Sequence, residues 1–313
     1  MAPGGEPAHP GRNAVPAGPR NVNTETVSTD YGDLDTWEPK RILEAVIASS
    51  SRASSAALAA LPALAEAAEL IEERLERGGR LIYIGAGTSG RLALLDAAEL
   101  PPTFGFDRTL VLMAGGASAG SQAVEGAEDD TDGITKELAE AEVGGDDAVI
   151  ALAASGRTPW TVTGIQEARR RGAATVGISS NADSPLLEAA QVPVVLDTGP
   201  EVLAGSTRLS AGTAQKIVLS ALSTTVLVRL GGAYGNLMVG MSPTNAKLRK
   251  RAAAIVAEAT GMAEEAAVKQ LEAAGQEIRT AIVMELGAVG VDRARELLER
   301  ADGRVREALA YAA

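Results

Sequence analysis

Five short apolar runs limit what this chain can fold into: Leu81–Ile84, Leu110–Ala114, Ala148–Leu152, Thr175–Ser179 and Val192–Leu196. None alternates cleanly between apolar and polar side chains, so each reads as a strand buried on both faces. Helical stretches separate most of them, at 89–99, 118–127, 159–171 and 184–190. That order predicts an α/β fold: a three-layer sandwich with a central parallel sheet. Two longer helices are predicted beside it. One covers Ser54–Arg77, where Leu58, Leu61, Leu64, Ala68, Ile71 and Leu75 recur at helical spacing before Gly78-Gly79 ends it. The other covers Ser210–Arg229.

The two ends of the chain differ from this middle. The first 20 residues hold five prolines and four glycines, with too little apolar surface to offset the entropy of ordering. They contain no apolar h-region, so they do not read as a signal peptide. Residues 1–38 are therefore expected to be disordered or weakly ordered. Residues 39–247 are expected to form the α/β domain and 248–313 a small all-helical one. The last part repeats weakly at an offset of 27: Leu271–Ile282 resembles Leu298–Leu309, which implies two copies of a helical hairpin.

Composition narrows the chemistry. With no cysteine, the chain has no disulfide, no thiolate metal site and no cysteine nucleophile, and a reducing cytoplasm is its expected setting. Its net charge is -12 and it has two tryptophans, four tyrosines and two phenylalanines, a poor endowment for gripping a nucleic acid. No run of 18 apolar residues occurs, so no membrane span is expected. The single histidine is His9, in the proline-rich stretch. Acid–base catalysis would then fall to carboxylates, lysine or tyrosine.

Gly85-Ala86-Gly87-Thr88-Ser89-Gly90 follows a strand and opens a helix, satisfying the dinucleotide pattern G-x-G-x-x-G. That use also needs an acidic residue at the end of the second strand, where this chain has Met113-Ala114-Gly115-Gly116. A site for one phosphate fits better: Gly87, Thr88 and Ser89 offer hydroxyls and free N–H groups at a helix start. Ser155-Gly156-Arg157-Thr158-Pro159 repeats that chemistry after another strand. Either loop alone could be a plain helix cap. Together they point to a phosphorylated small molecule held at the ends of the strands. Two carboxylate pairs lie nearby, Asp96 with Glu99 and Glu125 with Glu128. Each is spaced three apart, so each is expected on one helical face, and each could equally be a solvated acidic face. A calcium loop at Glu128–Gly133 would need glutamate where Ala139 stands, so no metal site is assigned.

Taken together, these segments resemble a specific family. Gly79–Arg91, Leu95–Gly105, Ala123–Asp130, Ala153–Pro159, Gly205–Leu209 with Ala211–Lys216, and Gly235–Met238 are similar, in order, to the N-acetylmuramic acid 6-phosphate etherases. The resemblance runs from about residue 54 to the C-terminus. Before that only traces such as Thr24-Glu25 match, and Ala98 and Leu100 stand where the family usually has serine and cysteine. The resemblance implies a sugar isomerase (SIS) domain, a homodimer, and a lyase of cell-wall recycling that needs no metal or cofactor. It implies N-acetylmuramic acid 6-phosphate as substrate, and N-acetylglucosamine 6-phosphate and D-lactate as products. The family's catalytic glutamates fall on Glu99, expected to protonate the departing lactate, and Glu128, expected to take the proton from carbon 2. Phosphate ligands are expected at Thr88, Ser89, Ser155 and Thr158, with Ser206, Thr207 and Lys247 as further candidates. The same fold also serves phosphosugar-sensing regulators such as the glucokinase regulatory protein, and aldose–ketose isomerases. A regulator would need the loops but not both glutamates.

Overall fold

The computed structural model describes residues 23–312. The expected disorder of residues 1–22, and His9 with it, lies outside them. Residues 23–38, also expected to be weakly ordered, form three 3-10 turns, at Asn23–Glu25, Thr29–Tyr31 and Leu34–Thr36. Thr24 is fully buried there, and its carbonyl oxygen accepts from the Gly205 N–H at 3.2 Å.

Two helices come first, α1 (Pro39–Ala59) and α2 (Leu61–Glu76). The single helix expected over Ser54–Arg77 is thus divided at Ala60. Pro62 sits in the first turn of α2, where its missing N–H costs nothing but cannot continue α1. Next along the chain are β1 (Leu81–Gly85), α3 (Gly87–Phe104), β2 (Thr109–Met113), α4 (Thr131–Glu140), β3 (Ala148–Leu152), α5 (Pro159–Arg170), β4 (Ala174–Ser179), α6 (Pro185–Ala189), β5 (Val192–Val195) and α7 (Ser210–Leu227). The helix expected at 118–127 does not form. Gly115, Gly116 and Gly126 adopt left-handed backbone there, and only two 3-10 turns remain, Gly116–Gly120 and Ala127–Asp129.

The five strands form one parallel sheet in the order β2-β1-β3-β4-β5. Ile82 of β1 pairs with Leu110 on one side and Val149 on the other. Alternate residues supply two cores. Leu81, Tyr83, Ile150, Val176 and Val194 face α1, α2, α3 and α7, while Ile82, Ile84, Val149 and Ala151 face α4, α5 and α6. This is the expected three-layer sandwich. Each fully buried Ile or Leu contributes roughly 1.5–3 kcal/mol.

Helix α7 and its π-helical extension, Ser210–Gly232, are together long and apolar enough to cross a membrane, yet 56% of the apolar window is buried inside the protein. It is apolar because α1, α2 and α3 all pack against it.

A short hairpin, β6 (Ala233–Tyr234) and β7 (Leu237–Met238), leads to helices α8 (Ala246–Thr260), α9 (Glu264–Ala273), α10 (Ile278–Leu286), α11 (Val291–Arg300) and α12 (Val305–Ala312). The starts of α9 and α11, and of α10 and α12, are each 27 residues apart, matching the repeat in the sequence. These helices have a core of their own, to which Val239 and Met241 also contribute.

Asp147 ties the starts of two strands together. Its carboxylate accepts from Arg80 Nε at 2.9 Å and Nη2 at 2.8 Å, and from the Gly144 N–H at 3.0 Å. Burial alone would push this carboxyl up. The bonds from Arg80 and from the Gly144 and Arg80 backbone outweigh that and hold it below the usual aspartate value. A depressed folded-state pKa gives stability that is complete above the unfolded pKa, near 4, and is lost as pH falls through the folded value. Asp147→Asn should therefore cost about 1–3 kcal/mol at neutral pH and flatten the acid limb of the stability curve, read by urea denaturation between pH 7 and pH 3.

Candidate active site

All five strands point the same way, so the loops after them gather along one edge of the sheet. The chain goes from β1 outward to β2, then returns past β1 to β3. The crevice between β1 and β3 is thus the topological switch point, where open sheets bind ligands. The loop after β1 and the loop after β3 are the two hydroxyl-rich segments expected from the sequence.

Helix α3 starts on β1 at very close range. A Cβ on Gly85 would stand 2.9 Å from Gly90 N, and one on Gly90 would stand 2.8 Å from Met113 Cγ. Gly87 has a φ of +53°, and no side chain caps the helix that it opens, so its first N–H groups remain for an anion. Thr88 is half-buried beside them. Ser89 is buried, and its hydroxyl donates to Gln215 Oε1 on α7 at 2.9 Å. Of the two first-loop hydroxyls, Thr88 is the more open to a ligand.

The second loop is built similarly. Thr158 precedes Pro159 at the start of α5, again without a side-chain cap. Ser155 Oγ accepts from the Arg157 N–H at 3.2 Å. Asn181, buried after β4, holds the loop by donating from Nδ2 to the carbonyl oxygens of Ala154 at 3.0 Å and Ser155 at 3.2 Å. Gly156 has a φ of +67°, and a Cβ there would lie 2.3 Å from Ser184 Oγ.

Helix α7 differs from α3 and α5. Its N-terminus is closed by the buried carboxylate of Glu201, which accepts from the N–H groups of Ser210 at 3.0 Å and Ala211 at 2.9 Å. Ser206 and Thr207 sit half-buried just before it. They adjoin the first loop: a Cβ on Gly212 would lie 3.1 Å from Thr207 O and 3.4 Å from Thr88 Cγ2. Lys247 stands elsewhere, exposed in the first turn of α8. The segment leading to α8 packs at Gly240 against Phe104, at the far end of α3 from the loops.

The acidic pairs do not stay together. Asp96 is buried and accepts from Tyr83 Oη at 2.8 Å and Ser223 Oγ at 3.3 Å, whereas Glu99 is exposed. Three residues turn a helix by about 300°, enough to put one side chain inside and the other at the rim. Burial, with Asp96 beside it, pushes the Tyr83 hydroxyl well above its ordinary value, so it is a fixed donor and not a base. Glu125 and Glu128 are exposed in the irregular connection between β2 and α4. That connection folds back over the first loop: Glu128 Oε1 lies 3.1 Å from where a Cβ on Gly87 would be. Glu99 is twelve residues further along α3, about 18 Å at the helical rise of 1.5 Å per residue. Within one chain, therefore, Glu128 faces the loop after β1 and Glu99 does not.

Sequence reasoning did not single out Glu201, Asn181 or Ser184 and ranked Gln215 only as part of a matching segment. Asn181 comes two residues after the end of β4, which is a position where it could have been sought. Nothing local marks Glu201, whose role depends on a helix nine residues away. Gly156→Ala should destabilise the protein by about 2–4 kcal/mol, from left-handed strain and overpacking on Ser184, read as a lowered midpoint of thermal unfolding.

A profile of the glucokinase regulatory protein N-terminal SIS domain matches residues 63–169. An N-acetylmuramic acid 6-phosphate etherase from Deinococcus radiodurans is 48% identical over 288 residues, which cover 91% of this chain and 94% of that protein. One from Mycolicibacterium smegmatis is 47% identical, over 92% of this chain and 97% of its own. Among solved structures, a phosphoheptose isomerase from Francisella tularensis aligns with a TM-score of 0.48 at 20% identity, over 61% of this chain and 98% of that one.

Proposed function

The chain belongs to the N-acetylmuramic acid 6-phosphate etherases and is a carbon–oxygen lyase, and from that premise we propose how its residues divide the work. The substrate is N-acetylmuramic acid 6-phosphate. Its phosphate is held by the open N-termini of α3 and α5, with Thr88, Ser155 and Thr158 supplying hydroxyls. Ser89 supports this cradle from beneath through Gln215. Ser206 and Thr207 border it; Lys247 does not join it within one chain.

Ring opening exposes an aldehyde at carbon 1, which acidifies the hydrogen at carbon 2. Glu128 takes that proton, the bond from carbon 3 to the lactyl oxygen breaks, and Glu99 protonates the departing oxygen. Water then adds across the carbon 2–carbon 3 double bond. Its hydroxyl goes to carbon 3 and a proton returns to carbon 2, giving N-acetylglucosamine 6-phosphate and D-lactate. Each proton transfer by a positioned carboxyl typically contributes about 10²–10⁴-fold.

The observation that carries this reading is the placement of Glu128 against Gly87, at the mouth of the first phosphate loop. Glu99 lies too far along α3 to share that substrate, so we assign the Glu99 of each site to a second copy of the chain. The surface around it suits such a contact: Leu94 and Leu95 on α3 are 43% and 47% exposed. Leu43 and Ile47, one turn apart on α1, are exposed as well. A covering subunit would bury Glu99, and burial favours the neutral carboxyl that a general acid must be. The reading is thus a homodimer, and with no cysteine in the chain, the reducing cytoplasm suits it.

Glu99→Gln should abolish D-lactate release while changing affinity for the sugar phosphate by less than about threefold, because it removes only a transition-state proton. Glu128→Gln should stop exchange of the carbon-2 hydrogen in deuterated water. Retained exchange would remove Glu128 as the base, and near-normal turnover of the Glu99 variant would remove the acid.

A further inference from the structure

A cavity of about 1160 Å³ lies between the sheet domain and the C-terminal helices, and its chemistry is unused by the etherase mechanism. The turn from Phe104 to Arg108, between α3 and β2, forms one wall of it. That turn is at the edge where the strands begin, so within one chain the cavity is at the opposite end of the sheet from the phosphate loops.

Four arginines line it: Arg108, Arg279, Arg295 and Arg304. Three are engaged. Arg108 donates to the carbonyl oxygens of Gly79 at 2.8 Å and Leu75 at 3.1 Å. Arg295 pairs with Glu277 at 3.1 Å, and Arg304 pairs with Glu76. Arg279 makes no hydrogen bond or ion pair among the described residues, and its Nε is buried without an acceptor. Its two terminal nitrogens lie against glycines. A Cβ on Gly240 would stand 2.9 Å from Nη2, and one on Gly303 would stand 2.8 Å from Nη1. A side chain at either position would take the space that the guanidinium occupies.

Carboxylates line the cavity too. Glu76 and Glu277 are committed to Arg304 and Arg295, and Asp302 lies 3.7 Å from Arg304. Asp107 and Glu299 also line it. None of them offsets the burial of Arg279, whose pKa is pulled below the ordinary arginine value by desolvation alone. A desolvated guanidinium without a counter-charge is costly, and its planar fork matches a carboxylate or phosphate. In the same cavity Gln276 Oε1 is buried and accepts from nothing, which leaves room for a hydroxyl or amide N–H of a ligand.

We propose that this cavity is a second binding site, for a small hydroxylated oxyanion, in which Arg279 holds the anion and Gln276 accepts from a neighbouring hydroxyl. It stands on the cavity alone and does not depend on the etherase reading. A sugar phosphate and an α-hydroxy acid both carry the required groups.

Equilibrium dialysis compares the unaltered full chain with its Arg279 variants in separate arms, against labelled inorganic phosphate, N-acetylglucosamine 6-phosphate and D-lactate. In at least one arm Arg279→Gln should bind one equivalent fewer per chain than the unaltered protein, while Arg279→Lys should retain that equivalent with its affinity weakened roughly tenfold. An unchanged count in Arg279→Gln in all three arms would overturn the proposal. Footprinting on the unaltered chain guards against misfolded variants. Phenylglyoxal should modify Arg279 faster than Arg108, Arg295 or Arg304, by mass spectrometry. Inorganic phosphate, N-acetylglucosamine 6-phosphate and D-lactate are added in separate arms. Slowing of at least about fivefold in any arm supports the site and identifies its ligand class, and no slowing in all three contradicts it.

Discussion

Helix α3 lies so close on β1 and β2 that Gly85 and Gly90 have no room for a Cβ, and that contact positions most of the candidate site. It sets the open end of the helix directly on the end of a strand, at the point where the sheet order reverses. It also makes α3 a rod that joins the first loop to the C-terminal part of the chain. Gly87 and Thr88 begin it, Glu99 lies about 18 Å along it, and the Phe104 turn closes it against the helical C-terminal part. A larger residue at Gly90 would push the rod off the sheet and move all three.

Electrostatics sorts the helix ends that the fold brings to the crevice. The N-termini of α3 and α5 have no side-chain cap, while that of α7 is occupied by Glu201. A protein that satisfied every helix start with its own carboxylates would repel a phosphate. Here one buried glutamate closes the helix that packs behind the crevice, and the starts of α3 and α5 carry no side-chain cap. Under the proposed reading, the exposed Glu99 fits the same logic only when a second chain is added, since a lone carboxyl on a solvated surface has neither the burial nor the partner that an acid catalyst needs.

Much of this was legible in the sequence because burial leaves a local trace. The apolar runs at 81–84 and 148–152 fall on β1 and β3, and the 27-residue repeat falls on the α9–α12 hairpins. The misreadings have local causes as well. Apolar periodicity continues through Ala60, so the end of α1 from Ser54 and all of α2 read as one helix, although Pro62 permits a new start there. Glycines with left-handed backbone replaced the helix expected at 118–127. Spacing of three joined Asp96 to Glu99, but which side of a helix is covered is decided by packing, and Tyr83 and Ser223 claim Asp96. Glu201 and Asn181 act across long stretches of chain, and no single-sequence pattern reports such partners.

If each active site joins Glu128 of one chain to Glu99 of another, inactive chains should complement each other when mixed. Chains carrying Glu99→Gln and chains carrying Glu128→Gln, each inactive alone, are unfolded together in equal amounts, refolded and assayed for D-lactate. Half of the dimers are then mixed, and each mixed dimer holds one site with both glutamates intact. Recovery of about a quarter of the unaltered activity is expected. Mixed dimers that form in the expected proportion yet release no lactate would show that both glutamates must come from the same chain, and would contradict the shared site.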